Sequence, residues 1–195
     1  MTEVFQYHES GDYERAEFLY RDLIEQYPGI WQLYFNCGLL LFELGRYRES
    51  LDLYLSGLAI NDSNEDLLYN SGICHKELGD FEAAISSYRR ALEIASDDLD
   101  CRYNLAGCYQ SLGDDNQAAK IYESIVAKSP THLSSLNNLA YLTHKNGKNE
   151  RARELYEQIL KLNPAHVSAD YMRAALSGET RSQPPGSYIR EVFDE

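Results

Sequence analysis

A spacing of 34 residues governs this chain. Glycine stands at Gly11, Gly45, Gly79, Gly113 and Gly147, and tyrosine keeps the same step at Tyr20, Tyr54, Tyr88, Tyr122 and Tyr156, with no insertion between copies. The stretch Leu99–His132 shows what repeats. On either side of Gly113 lie about fourteen residues whose apolar positions recur every three or four, the period of an amphipathic helix. A glycine between two such runs supplies the turn that ends one helix and lets the next begin. One helix–turn–helix unit leaves its apolar faces bare, so copies must stack and bury a continuous seam. The chain is therefore expected to be all-α, with stability that grows repeat by repeat.

Phase divides the chain. Residues 1–30 make a partial first repeat, and 31–64, 65–98, 99–132 and 133–166 make complete ones. In the partial repeat Tyr13–Tyr27 forms the second helix, with Ala16, Leu19, Tyr20, Leu23 and Ile24 on one face, and Pro28 stops it for want of a donor. Trp31 is expected to pack at a helix start, and Gly38 to mark a close approach of two helices. Asp62 and Ser96 stand where the later repeats carry Pro130 and Pro164, so termination there falls to turn-forming polar residues. Residues 133–166 carry Thr143 and His144 in place of bulky groups, which predicts looser packing. Residues 167–177 begin another first helix without a second and are expected to cap the stack. Residues 178–195 read as a linker, GETRSQPPGS, followed by a short amphipathic helix with Ile189, Val192 and Phe193 on one side.

Leu105, Ala106, Tyr109, Ala118, Tyr122 and Pro130 fall on the spacing L-G-x2-Y … A-x3-F … P, and this resembles the tetratricopeptide repeat. The resemblance implies a right-handed superhelical solenoid of antiparallel helix pairs, about four and a half repeats plus the C-terminal cap helix, with first helices lining a concave wall. It also implies a module that binds proteins or peptides rather than an enzyme.

Composition narrows the partner. The net charge is −13 and Lys and Arg do not cluster, which argues against nucleic acid and anionic membranes and for a neutral to basic partner. No apolar run approaches the roughly 18 residues of a membrane span, and the N-terminus lacks a signal-peptide pattern, so a cytoplasmic location is expected. Cys37, Cys74, Cys101 and Cys108 include no CxxC pair; Cys101 and Cys108 lie about 10 Å apart on one helix, too far to bridge, so all four are expected to be reduced core thiols. His132 and His166 share a repeat position without metal-ligand spacing. No phosphate loop, GxSxG elbow, HExxH or GxGxxG motif occurs, so no catalytic residue, metal or cofactor is assigned.

The positive signal is a row of amides. Asn36, Asn70, Asn104 and Asn138 recur at the sixth repeat position. By the resemblance that position faces the concave groove, where an amide can bond a peptide's C=O and N–H at once; the repeat region of O-linked N-acetylglucosamine transferase is similar in this respect. The alternative is that each amide bonds neighbouring helix backbone. Other groove positions hold Phe35, Tyr69, Tyr103 and Asn137, then Gln32, Asp66 and Asp100. Tyr69 and Tyr103 either stack on a ligand or pack on each other, and Asp66, Glu77 and Asp100 bias the groove toward basic side chains. Gly107 leaves room either for a ligand or for Tyr141. The lysines and arginine with which chaperone-binding relatives grip a terminal carboxylate are absent from these positions.

A second resemblance lies in Met172–Glu195. Ala174, Ala175, Leu176, Ser177, Gly178, Pro185, Tyr188, Ile189, Val192, Phe193 and Asp194 match the junction of a bacterial family in which tetratricopeptide repeats precede an S-adenosylmethionine-dependent methyltransferase domain. It implies a substrate-recruiting region whose catalytic domain would lie beyond Glu195. A third expectation is self-association through Tyr188–Phe193.

Overall fold

The protein is described here by a computed structural model over residues 2–179, and every regular element among the described residues is an α-helix. In chain order these are α1 (Thr2–Glu9), α2 (Tyr13–Gln26), α3 (Trp31–Glu43), α4 (Tyr47–Ile60), α5 (Glu65–Glu77), α6 (Phe81–Ile94), α7 (Leu99–Ser111), α8 (Asp115–Lys128), α9 (Leu133–Lys145), α10 (Asn149–Leu162) and α11 (Val167–Leu176). They form two compact units, one ending at Leu112 with α1–α7 and one starting at Gly113 with α8–α11. The boundary falls on a turn glycine, inside the repeat 99–132. Residues 180–195, with the Tyr188–Phe193 segment and most of the methyltransferase-like junction, lie outside the described residues.

The turns show why the glycines recur. Gly45 has φ +72°, a left-handed conformation that costs glycine little. Its N–H donates to the Phe42 carbonyl at 2.9 Å and the Arg46 N–H to the Leu41 carbonyl at 2.9 Å, the paired bonds of a Schellman cap. The residue after the glycine then opens the second helix. Asp12, Asp80 and Asp114 each accept the third backbone N–H of that helix, from Arg15, Ala83 and Gln117. Arg46 and Lys148 stand at the same place in α4 and α10 and supply no side-chain cap.

In the first unit each helix packs on its chain neighbours, and α5 also meets α7. Val4, Ala16, Tyr20, Cys37, Leu40 and Leu41 start the core, flanked by Tyr7, Leu19, Leu23 and Ile24. Tyr54 and Tyr88 continue it, both without exposure. Removing such a side chain from water contributes about 1.5–3 kcal/mol. Gly38 and Gly72 are what admit these rings. A Cβ on Gly38 would sit 2.5 Å from Tyr54 Cε1, and one on Gly72 would sit 2.6 Å from Tyr88 Cε1. The Ser50 hydroxyl donates to the Gly38 carbonyl at 2.7 Å and ties α4 to α3.

In the second unit Tyr122, Ile125, Leu136, Leu139, Leu142, Leu155 and Ile159 are buried, and α11 packs on α10 with Ala169, Met172 and Ala174 inside. The looser packing expected for residues 133–166 does not show as exposure of α9. α9 buries six residues, Thr143 among them, against five in α3, one of which is Gly38. All four cysteines are free and buried.

Candidate functional site

The first helices carry every residue of the candidate site, and their polar groups have definite partners. On α5 the Asn70 amide donates to the Asp66 carbonyl one turn back, at 2.8 Å. On α7 the Asn104 amide instead reaches across to α5 and donates to the Tyr69 hydroxyl at 3.0 Å. Asn104 Oδ1 accepts from Lys76 Nζ at 3.2 Å, and Glu77 Oε1 lies 4.0 Å from the same ammonium. The difference between the two asparagines follows from the preceding repeat. One residue more than a full repeat before Asn104 stands Tyr69, whereas the same step before Asn70 finds Phe35, which has no hydroxyl to offer.

Asn104 and Glu77 thus meet at Lys76, a residue not singled out from the sequence, and Tyr69 joins through the Asn104 amide. No repeat signal marks it, because its place is taken by Phe42, Gln110 and His144 in the other complete repeats. The Tyr69 ring leans on Tyr88, centroids 5.9 Å apart at 52°, so its apolar face is used for packing. Burial, then the charges of Asp100 and Asp98, push its phenol above the usual tyrosine value, so it stays protonated. Asp66 and Asp100 are exposed in the first turns of α5 and α7. Asn36 and Tyr103 are half-buried, on α3 and α7, and Asn36 makes no side-chain hydrogen bond among the described residues. A Cβ on Gly107 would meet no atom within 4 Å. Within the second unit Asn138 on α9 donates to the Tyr122 hydroxyl of α8 at 3.0 Å.

Two histidines have a role that the sequence did not disclose. His132 Nδ1 accepts the Ser135 N–H and His166 Nδ1 the Ala169 N–H, each at 3.2 Å, so both are N-caps, of α9 and α11. Their shared repeat position was the available signal. Among the described residues no group of three His, Cys, Asp or Glu side chains is placed to hold a metal, and no helix is long and apolar enough to cross a membrane.

Solved structures of low identity share the fold. A tetratricopeptide repeat protein from Parabacteroides merdae matches with TM-score 0.81 at 20% identity, over 100% of this chain and 77% of its own. YrrB, described as a tetratricopeptide repeat protein with an unusual peptide-binding site, matches with TM-score 0.76 at 21% identity, over 86% and 87%. MamA from Desulfovibrio magneticus RS-1, from residue 41 onward, gives 0.78 at 14%, over 85% and 93%. No curated protein matches by sequence. Three models of the tetratricopeptide repeat match residues 7–65, 75–142 and 132–163. Between them they take in most of a chain whose turns, helix pairs and buried tyrosines repeat at their spacing, and the chain belongs to the tetratricopeptide repeat family.

Proposed function

We propose that this chain is a non-catalytic binding module that holds an extended, neutral to basic peptide segment along the first helices of its first unit. Tetratricopeptide repeats are a scaffold typical of protein–protein interaction, which supports the class. The observation that carries the rest is the half-buried polar group of Tyr69, Asn104 and Lys76 beside the exposed carboxylates of Asp66 and Asp100. Asn70 spends one N–H on Asp66 and keeps a second N–H and its Oδ1 for a ligand. Asn36 keeps all of its amide. Asn138 occupies the same position in the second unit. Tyr103 adds a half-buried aromatic ring one residue before Asn104, and Glu77 adds to the negative field.

The test is fluorescence anisotropy with an array of synthetic peptides in which Lys or Arg alternates with neutral residues, against Glu-containing counterparts. The basic peptides should bind and the acidic ones should not. Changing Asn70 and Asn104 together to alanine should weaken the best binder by about 1–3 kcal/mol with helicity retained. An unchanged affinity removes the asparagines from the account. The junction-like residues 172–195 favour a second reading, in which this module recruits substrate for a methyltransferase domain encoded downstream. A cofactor-binding glycine loop soon after Glu195 in the gene would support it, and a stop codon there would end it.

A further inference from the structure

The hydrogen bonds around Asn104 have only one possible direction. An ammonium has three donors and no lone pair, so Asn104 must present its carbonyl oxygen to Lys76. Its NH2 group is then forced toward Tyr69, where the phenol oxygen is the acceptor. A hydroxyl oxygen already accepting there directs its own proton elsewhere. Among the described residues no protein acceptor takes that proton, and the Tyr69 ring is held against Tyr88 so it cannot swing to find one. The chain from ammonium to amide to phenol also polarises the last O–H, because each bond strengthens the next.

We infer that the Tyr69 hydroxyl is an oriented hydrogen-bond donor that reads one backbone carbonyl of the bound peptide, with Asn104 and Lys76 as the residues that position it. This rests on the peptide-binding reading above and names the ligand atom recognised. The acceptor is a neutral carbonyl rather than a carboxylate. The charges of Asp100 and Asp98 act on Tyr69, so an anion would be repelled where a carbonyl is not. A lysine or arginine next to that carbonyl in the peptide would find Asp66 and Asp100 exposed nearby. Glu77 lies 4.0 Å from the Lys76 ammonium and helps to hold it in place.

The experiment takes the tightest Lys- or Arg-containing peptide of the array and replaces its backbone carbonyls one at a time by thiocarbonyls, which are poor acceptors. One position should lose about three- to tenfold in affinity for the native protein. Tyr69→Phe keeps the ring against Tyr88 and should lose a similar factor, and in that variant the sensitive position should lose nothing further, as a double-mutant cycle requires. Lys76→Met leaves the phenol in place and frees the amide to turn over, so it should blunt the penalty. A penalty undiminished in Tyr69→Phe overturns the assignment while leaving peptide binding intact. A full native penalty in Lys76→Met overturns the relay. An array in which nothing binds overturns the peptide-binding reading and this inference with it.

Discussion

Three glycines of the first unit should answer the same substitution in opposite senses. At Gly72 an added methyl would lie 2.6 Å and 2.7 Å from two carbons of the Tyr88 ring and 3.0 Å from a third. Carbon atoms rest at about 3.5–4.0 Å, so the ring must retreat by close to an ångström. Tyr88 is fully buried and also packs against Tyr69, so nothing yields cheaply. Overpacking of this kind costs about 1–3 kcal/mol, and alanine returns about 0.5–1 kcal/mol of helix propensity, which leaves a net loss near 1–2 kcal/mol for Gly72→Ala. Gly38→Ala, facing Tyr54 at 2.5 Å, should behave alike. Gly107→Ala meets open space and should keep the whole propensity gain, becoming more stable by about 0.5–1 kcal/mol. All three changes restrict the unfolded chain equally, so their difference isolates the folded-state contact. Urea unfolding followed by helical circular dichroism measures it as a shift in midpoint at constant slope. Gly72→Ala as stable as the native protein, or Gly107→Ala as damaged as Gly72→Ala, would refute the packing argument. Peptide affinity of Gly107→Ala then reports whether the open space there is used by a ligand.

Two further outcomes follow from the caps and the thiols. Lys148→Asp supplies α10 with the cap that Asp80 gives α6, and should raise the urea midpoint by the equivalent of about 1 kcal/mol. Arg46→Asp at the matching place in α4 should not, because Arg46 bonds Glu17 and Glu49 at 2.6 Å each and an aspartate would leave three carboxylates together. Burial pushes the thiols of Cys37 and Cys108 from about 9 up to about 11. The unfolded chain therefore releases these protons first, so stability is full below about pH 9 and falls from there toward pH 11. Thiol-reagent titration in the folded state at pH 8, with urea midpoints at pH 8 and pH 10, checks it; rapid modification of all four thiols, or an unchanged midpoint, would contradict it.

Helix pairs, turns and core were open to sequence reasoning because they depend on backbone geometry and on spacing, and both repeat. Gly45 and Tyr54 do the same work in one repeat that Gly79 and Tyr88 do in the next. The candidate site is different in kind. Asn70 and Asn104 share a repeat position, yet one bonds its own helix and the other a neighbouring phenol, because Phe35 and Tyr69 differ by a single oxygen. Side-chain partners are chosen by non-repeating neighbours, which periodicity averages away. Lys76 escaped notice for that reason. Thr143, a small side chain where a bulky one is expected, is buried all the same. The histidine caps were hidden by habit of residue type, as Asp and Asn lead at such positions.

The pairing of each helix with its chain neighbours has a bearing on how either unit assembles. Partners that meet in the core lie within a few dozen residues of one another along the chain, so little loop entropy is spent in bringing them together. Chains organised in this way have low contact order and fold quickly for their size. Order can begin at any hairpin whose turn glycine and aspartate have closed and then spread outward, which makes the terminal helices the first to open and the last to form.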